Sequence, residues 1–266
     1  MSSQPLVFGI LNVTPDSFSD GGMWETPDRA VEHARAMVAA GADVIDVGGE
    51  STRPGATPVD ADEEQRRVLP VIRALTDDGI VVSVDTMRAS TASAAVNLGA
   101  TYVNDVSGGL FDPEMVTAVT HSPAVYIAMH WRGDSSVMDD RAVYDDVTRD
   151  VVAELNERVE RIMDAGLEPT RLWLDPGLGF AKNPDHNWEL LRNLETIVEM
   201  GYPVMVGASR KRFLAPFGES PADRDEATAV ISVLAAEAGA AAVRVHDAGR
   251  TARAFAVRSA WQGETR

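Results

Sequence analysis

The chain has 266 residues, no cysteine, 24 basic and 41 acidic side chains, and a formal net charge of −17 at pH 7. The lack of cysteine excludes disulfides, thiolate metal ligands and a cysteine nucleophile, and the net charge argues against nucleic acid or an anionic membrane as the main partner. A hydrophobic fraction of 45% predicts a substantial core, in one large domain or two small ones. Residues 1–20 show no basic segment before an apolar run, so we expect no signal peptide and a soluble, cytoplasmic protein.

The chain repeats one unit, in which a short apolar stretch ends on a polar residue and helical periodicity follows. The predicted strands are Leu6 to Leu11, Val44 to Ile45, Ile80 to Val84, Tyr102 to Val103, Ala124 to Met129, Leu172 to Leu174, Val204 to Val206 and Ala242 to Val245. The predicted helices are Arg29 to Ala40, Asp62 to Leu75, Thr91 to Leu98, Pro113 to Val119, Val147 to Ala165, Trp188 to Met200, Asp225 to Ala238 and Thr251 to Trp261.

The number of these units decides between two α/β folds. An alternation of strands and helices implies a parallel sheet, and eight units in about 250 residues match a closed (β/α)8 TIM barrel. We therefore predict one barrel domain over residues 1–266, with a doubly wound open sheet as the alternative. Glycines between a predicted helix and the next strand are expected to be left-handed helix caps; they are Gly41, Gly79, Gly99, Gly166, Gly201 and Gly239.

Polar residues end every predicted strand, and the active site of a TIM barrel lies at the carboxyl ends of its strands. We expect these residues to converge on one mouth of the barrel. They are Asn12, Asp46, Asp85, Asn104 with Asp105, His130, Asp175, Lys211 and His246, with Arg244 two residues before the last.

The residue types at these ends indicate their chemistry. Asp85, Asn104 and Asp175 offer hydrogen-bond acceptors and an amide, which suit a flat, donor-rich heterocycle. The side-chain oxygen of Asn12 suits a hard cation such as magnesium, with phosphate oxygens and water completing the coordination.

Positive charge is expected in the same mouth. Lys211, Arg244 and His246 predict a small cationic pocket for a substrate or leaving group that bears phosphate. Because Arg244 and His246 are two residues apart on a strand, their side chains are expected to face the same way.

The loops after the first two strands, residues 12–22 and 48–55, are polar and contain glycine. Such loops are often simple surface turns, but at the mouth of a barrel we expect them to be lids that exclude water. Serine, threonine and arginine in the second loop suit an anion, and Asp16 or Asp20 suits a developing cation.

The ordered set of motifs resembles the dihydropteroate synthase family, from the first strand to the eighth. The motifs are NVTPDSFSDGG at 12–22, GGESTRPG at 48–55, Asp85-Thr86, NDVSG at 104–108, Met129-His130, DPGLGF at 175–180, SRK at 209–211 and RVHD at 244–247. The resemblance implies a pterin-binding TIM-barrel transferase of folate biosynthesis, which sulfonamides would inhibit as analogues of p-aminobenzoate. It would condense 6-hydroxymethyl-7,8-dihydropterin pyrophosphate with p-aminobenzoate to give 7,8-dihydropteroate and pyrophosphate.

The resemblance also implies roles for particular residues. The pterin would be held by Asp85, Asn104, Asp175 and Lys211, with Met129 and Phe180 packed nearby. Arg244, His246 and a magnesium ion on Asn12 would hold the pyrophosphate. The aminobenzoate pocket would be formed with Lys211 by the two loops, through Phe18, Asp20, Ser51, Thr52, Arg53 and Pro54. The catalytic residues would be Asp20, Lys211, Arg244 and His246.

Departures from the family pattern are few and remove no supposed catalytic group. They are Arg212 and Ala215 after the SRK motif, and Trp131 and Arg132 after the fifth strand.

The resemblance further implies a homodimer. Apolar residues of the last two helices either form its interface or pack on the barrel; they are Ile231, Leu234, Phe255, Val257 and Trp261. Two other functions stay open, a corrinoid-linked methyltransferase barrel and a non-catalytic pterin-binding paralogue.

Overall fold

The computed structural model describes residues 4–14, 27–50, 59–134, 137–138 and 140–263. Its strands are β1 (Leu6–Asn12), β2 (Val44–Gly48), β3 (Val82–Asp85), β4 (Tyr102–Asp105), β5 (Val125–Met129), β6 (Leu172–Asp175), β7 (Met205–Val206) and β8 (Ala242–Val245). Each predicted strand is therefore present, with its ends within three residues of the expected positions.

The strands form one parallel, eight-stranded sheet in the order β6-β5-β4-β3-β2-β1-β8-β7. The two edge strands approach each other through a parallel bridge between Leu174 and Val204 and a hydrogen bond of 2.9 Å from the Leu174 N–H to the Pro203 carbonyl. This contact closes the sheet into the predicted TIM barrel, so the open-sheet alternative is wrong.

Helices follow the strands and cover the outside of the barrel. They are α1 (Pro27–Ala40), α2 (Ala61–Asp77), α3 (Ala89–Asn97), α4 (Met115–Thr120), α5 (Val147–Asp164), α6 (Pro184–Arg192), α7 (Leu194–Val198), α8 (Asp225–Glu237) and α9 (Ala248–Gln262). The single helix predicted over 188–200 is two helices that meet at Asn193, and the first of them begins earlier than expected. Pro184 at its first turn and Asn183, which accepts the His186 N–H at 2.8 Å, fix that earlier start.

Two apolar layers hold the barrel together. The larger lies between the strands and the helices, where side chains such as Leu75, Leu155 and Phe255 are fully buried. The smaller fills the inside of the barrel around Phe8, Val44, Ile127, Met205 and Ala242, against which Leu6, Tyr102 and Trp173 pack. These apolar side chains occupy the amino-terminal half of the interior, so the polar strand ends are left at the other end.

The predicted glycine caps are confirmed, since all six have φ between 75° and 113°. No helix in the described part of the chain is long and apolar enough to cross a membrane.

Candidate active site

Strand register places the predicted polar residues at one end of the barrel interior. Gly48 of β2 pairs with Asp85 of β3, Asp85 pairs with Asn104 of β4, and Met129 of β5 pairs with Asp175 of β6. Because strand side chains alternate between faces, these side chains share the inner face with Asn12 and Arg244.

Arg244 is the centre of this end of the barrel, because it bridges two aspartates. Its Nε donates to Asp46 Oδ2 at 2.5 Å, and its Nη2 donates to Asp85 Oδ2 at 2.6 Å. The Asn104 amide also donates to Asp46 Oδ2, at 3.1 Å. Asp46 is fully buried, whereas 20% of the Arg244 side chain is exposed toward the mouth. The two carboxylates therefore fix the orientation of a guanidinium that a ligand can still reach.

Burial and the attraction between opposite charges shift the pKa values of Asp85 and Arg244 in opposite directions. Burial raises the pKa of Asp85 to about 7, because attraction to Arg244 only partly offsets the cost of burying its charge and repulsion from Asp46 adds to that cost. Burial lowers the pKa of Arg244, but attraction to Asp46 and Asp85 outweighs it, so the net pKa is above the ordinary value. Arg244 therefore stays charged.

A second acid and base pair, Asp175 and Lys211, lies beside Arg244. Burial lowers the pKa of Lys211 to about 8 although Asp175 attracts its charge, and burial raises the pKa of Asp175 although Lys211 attracts its charge. A Cβ on Gly207 would lie 3.6 Å from Asp175 Oδ2, 3.8 Å from Lys211 Nζ and 4.0 Å from Arg244 Cβ. Glycine at this position therefore leaves space between the three side chains.

Phe180 borders the same space. Lys211 Nζ lies 4.8 Å from the centre of the Phe180 ring and donates to the carbonyl of Leu178. Gly179 cannot be replaced without disturbing this contact, because a Cβ there would lie 2.9 Å from Lys211 Cδ. A flat apolar ring therefore stands next to the base, as a heterocycle site requires.

Ser209 orients His246 at the end of β8. The Ser209 hydroxyl shares a hydrogen bond of 2.9 Å with His246 Nδ1 and accepts the His246 backbone N–H at 3.1 Å. The next residue, Arg210, has a left-handed φ of 60°. Asp225 of α8 holds Arg210 there by accepting from its Nε and Nη2 at 2.8 and 2.7 Å. The SRK turn is thus fixed between β8 and α8.

His130 and Asp105 do not lie at the mouth of the barrel, so the prediction that they do was wrong. His130 is fully buried, and its ring nitrogens pair with Glu154 of α5 at 3.0 Å and with Lys182 at 2.9 Å. As the residue after Met129, it faces the helices when Met129 faces the barrel interior. Asp105, also fully buried, accepts hydrogen bonds from Ser107, Gly109 and Tyr126, so its role is structural.

Asp46 and Lys182 are the polar residues whose importance the sequence analysis missed. Asp46 was recognised as a strand end but not as a partner of Arg244, which lies 198 residues away. Lys182 follows the DPGLGF motif, and its side-chain partner, His130, lies 52 residues earlier. A signal for Lys182 exists, since the chain has only two lysines among its 24 basic residues, Lys182 and Lys211.

The loop residues predicted for the aminobenzoate pocket lie outside the described residues; they are Phe18, Asp20, Ser51, Thr52, Arg53 and Pro54. Described residues at both ends of 51–58 are joined through Arg88, which donates to Glu50 Oε2 at 2.8 Å and to the Val59 carbonyl. Arg88 in turn lies 3.4 Å from the buried Glu64. The two ends of this segment are therefore fixed to the start of α3 and, through Glu64, to α2.

The donor set near Asn12 fits a magnesium ion. Asn12 Oδ1 and Asp85 Oδ2 lie 3.8 and 3.5 Å from where a Cβ on Gly48 would be. Amide and carboxylate oxygens are the ligands magnesium prefers, and it commonly takes one or two from the protein and the rest from phosphate and water. Within the described ranges, no group of three or more histidine, aspartate or glutamate side chains is arranged to hold a metal ion.

The barrel and its mouth define a TIM-barrel enzyme with a site for a flat heterocycle and an anion. Residues 8–246 match the family model described as pterin binding enzyme. The chain is 49% identical over 270 residues to the dihydropteroate synthase of Mycobacterium leprae (strain TN), covering 98% of this chain and 95% of that protein. It is 42% identical over 250 residues to the dihydropteroate synthase of Bacillus subtilis (strain 168), covering 93% and 85%.

Comparison with solved structures also finds similarity to dihydropteroate synthases. A Xanthomonas albilineans dihydropteroate synthase with 4-aminobenzoic acid has a TM-score of 0.92 at 42% identity, covering 98% of this chain and 94% of that chain. A Yersinia pestis dihydropteroate synthase with a sulfonamide drug has a TM-score of 0.92 at 39% identity, covering 99% and 96%. The chain belongs to the pterin-binding enzymes and, within them, to the dihydropteroate synthases, transferases that condense a dihydropterin pyrophosphate with p-aminobenzoate in folate biosynthesis. The predicted family, fold and activity are confirmed.

Proposed function

We propose that this chain, as one barrel domain over residues 1–266, carries out the condensation with the strand-end residues described above. The observation that carries this assignment is Arg244, held by Asp46 and Asp85 beside Asp175 and Lys211. One side of this arrangement offers acceptors to a heterocycle, and the other offers a fixed cation to an anionic leaving group.

The pterin half of the substrate is assigned to the acceptor side. Asp85, Asn104 and Asp175 pair with the donors of the aminopyrimidinone ring, and Lys211 donates to a ring acceptor. Met129, buried next to Asp175 in register, and Phe180 pack against the ring faces. Enclosure by these side chains strengthens each hydrogen bond, because the site has a lower dielectric constant than water.

The pyrophosphate is assigned to Arg244 and His246. A magnesium ion held by Asn12 supplies further positive charge to the leaving group when it is bound. The bond between the pterin methylene carbon and the pyrophosphate oxygen breaks, and its electron pair leaves with pyrophosphate. The amine nitrogen of p-aminobenzoate then bonds to the methylene carbon and loses its proton to water. An aniline nitrogen is already nucleophilic, so no strong base is needed.

The aminobenzoate half is assigned to Lys211 and the two loops. Arg53 and the hydroxyls of Ser51 and Thr52 suit its carboxylate, Phe18 and Pro54 suit its ring, and Asp20 suits the developing cation on the methylene. Arg88 supports this assignment indirectly, because it fixes the chain on both sides of residues 51–58.

We also propose a cytoplasmic homodimer. The supporting feature is an exposed apolar face on α8 and α9, made of Val230, Leu234, Val257 and Trp261. Ile231 and Phe255, which the sequence analysis left between interface and core, are buried and pack on the barrel. Contiguous exposed apolar residues on adjacent helices are typical of an interface.

Purified protein tests the reaction directly. With pterin pyrophosphate, p-aminobenzoate and magnesium, we expect equal amounts of dihydropteroate and pyrophosphate, and we expect neither when p-aminobenzoate or magnesium is left out. Normal pterin binding without turnover would instead indicate a non-catalytic paralogue. Methyl transfer from methyltetrahydrofolate to a corrinoid protein, without pyrophosphate release, would indicate the methyltransferase function.

Substitutions test the individual roles. Lys211→Met and Arg244→Met should each reduce kcat/KM strongly in folded protein, since each removes a charge that meets the substrate. Asn12→Ala should raise the magnesium concentration needed for half-maximal rate. Wild-type rates in Lys211→Met or Arg244→Met would contradict the assignment.

A further inference from the structure

Lysine is used sparingly in this chain, and both lysines lie at one turn. Only two of the 24 basic residues are lysines; Lys182 follows the turn 176–181, and Lys211 contacts it through the Leu178 carbonyl. Surface cations are arginines throughout. Lys211 has an assigned role, whereas the buried Lys182 has none.

Three acceptors surround the Lys182 ammonium. Nζ donates to the Gly177 carbonyl at 3.1 Å, to the Phe180 carbonyl at 3.0 Å and to His130 Nδ1 at 2.9 Å. An ammonium has three donors, so each of them has one acceptor. Burial lowers the pKa of Lys182 well below its ordinary value, whereas attraction to the nearby Asp175 and these three acceptors favour the protonated form.

His130 can accept this hydrogen bond because it is neutral. Burial and repulsion from Lys182 together lower the pKa of His130 to about 3, against attraction to Glu154. The Nε2–H of His130 donates to Glu154 Oε2 at 3.0 Å, which leaves Nδ1 as the acceptor. Arg132 holds Glu154 in place through a hydrogen bond of 3.0 Å from Nε to Oε1.

The turn that Lys182 grips orients the pterin side of the site. The Gly177 N–H donates to Asp175 Oδ1 at 2.7 Å, so Asp175 Oδ2 is turned toward the space beside Gly207. The same turn carries the Phe180 ring and the Leu178 carbonyl that receives Lys211. A shift of this turn would therefore move Asp175, Phe180 and Lys211 together.

We propose that Lys182 is a positioning residue that holds the turn 176–181 through the Gly177 and Phe180 carbonyls and His130, and thereby sets the geometry of the pterin half-site. Lys182 does not touch the substrate. This proposal rests on the assignment of Asp175, Phe180 and Lys211 to the pterin. Arginine cannot replace Lys182 here, because its planar guanidinium is larger and cannot direct three donors to acceptors that surround one nitrogen.

Steady-state kinetics of Lys182→Met and Lys182→Arg test the proposal. Methionine has nearly the same length without donors, and arginine keeps the charge. Loss of two or three hydrogen bonds predicts an increase of about 10- to 100-fold in KM for the pterin pyrophosphate. KM for p-aminobenzoate should stay within about 2-fold, because, among the described residues, Lys211 is the one member of its proposed pocket that contacts this turn, and the other pocket residues lie on other loops. An equal rise in both KM values, or no rise in either, would overturn the proposal.

Arg171→Met is the matched control. Arg171 also grips a turn through carbonyls, donating at 3.2, 2.5 and 3.1 Å to Val119, Ser122 and Ala124, but at the amino-terminal end of the barrel. It should lower Tm without changing either KM. If Lys182→Met changes only Tm, as this control does, Lys182 is merely structural and the proposal fails.

A binding measurement separates this proposal from the assigned reaction. Titration with 6-hydroxymethylpterin, followed by fluorescence, needs no turnover, and the Kd should rise in Lys182→Met by the same factor as KM. If Lys182→Met does not fold, His130→Gln takes its place, since the two carbonyl contacts remain. We expect a rise of about 3- to 10-fold in Kd there for loss of one hydrogen bond; an unchanged Kd would overturn the proposal, whatever the activity of the wild-type chain.

Discussion

Asp46→Asn isolates the part that the buried carboxylate plays in orienting Arg244. Asp46 is fully buried and cannot meet a ligand, but its Oδ2 accepts both Arg244 Nε and Asn104 Nδ2. Its Oδ1 is buried without a hydrogen-bond partner among the described residues. Asparagine keeps the shape and one acceptor but removes the charge. Among the described residues, Asp85 is then the one carboxylate to which Arg244 donates a hydrogen bond.

The magnitude follows from the two hydrogen bonds that change. A hydrogen bond to a charged group contributes about 1.5–3 kcal/mol, and one between neutral groups about 0.5–1.5 kcal/mol. The Arg244 bond loses its anionic acceptor, and the weaker Asn104 bond at 3.1 Å becomes neutral. A combined loss of about 1.5–3 kcal/mol corresponds to a reduction of about 10- to 150-fold in kcat/KM.

Pyrophosphate release with varied pterin pyrophosphate measures this change. Asp43→Asn is the control, because Asp43 lies just before the opposite end of β2, where it accepts the Val7 N–H at 2.8 Å. It should cost some stability but leave kcat/KM within about 2-fold, because that end of the barrel lies away from the site. If folded Asp46→Asn protein keeps the wild-type kcat/KM, Asp46 does not orient Arg244 and the reasoning is refuted.

Three further measurements test other parts of the structure. Because the pKa of His130 is about 3 in the folded chain and 6.5 in its ordinary state, folding stability should fall as pH drops through that window, by at most about 1.4 kcal/mol per pH unit. Urea unfolding from pH 4 to 7 should show a flatter slope for His130→Gln, and an identical slope contradicts the assignment. Gly177→Ala would put a Cβ 2.2 Å from the His130 carbonyl oxygen, so both Tm and pterin affinity should fall. The loss of Tm should be far larger than in Gly79→Ala, where nothing lies within 4 Å of the added Cβ; equal losses would show that the Gly177 contact is relieved. Leu234→Glu should halve the mass found by light scattering, and a monomeric wild-type chain would rule out the homodimer.

The barrel could be predicted from the sequence because its strands are apolar runs with abrupt polar ends. In seven of the eight units the polar residue that ends the run is within two residues of the observed strand end, as at Asn12, Asp85 and Asp175; the exception is Lys211, five residues after β7. The break at Asn193 between α6 and α7 could not be predicted, since apolar periodicity continues across it. Only packing decides where the second helix turns.

The site residues were predictable by type but not by partner. Side chains alternate between the two faces of a strand, so the assignment of Met129 to the barrel interior already implied that His130 faces away from it. No local pattern could pair Asp46 with Arg244, 198 residues later, or bring His130 to Lys182, 52 residues later. Such pairs form only when the barrel closes, so spacing in sequence carries no trace of them.

Closure also changes the expected charge of the pocket. The sequence predicted a small cationic site around Lys211, Arg244 and His246, but the fold places the carboxyl groups of Asp46, Asp85 and Asp175 against these bases. A pocket with as many acids as bases attracts pyrophosphate weakly through its net field, and it can recognise the anion only through donors held in fixed directions. The paired carboxylates hold the donors in those directions, but they also reduce the net positive charge of the pocket. This deficit is the physical reason to expect that turnover needs a magnesium ion at Asn12.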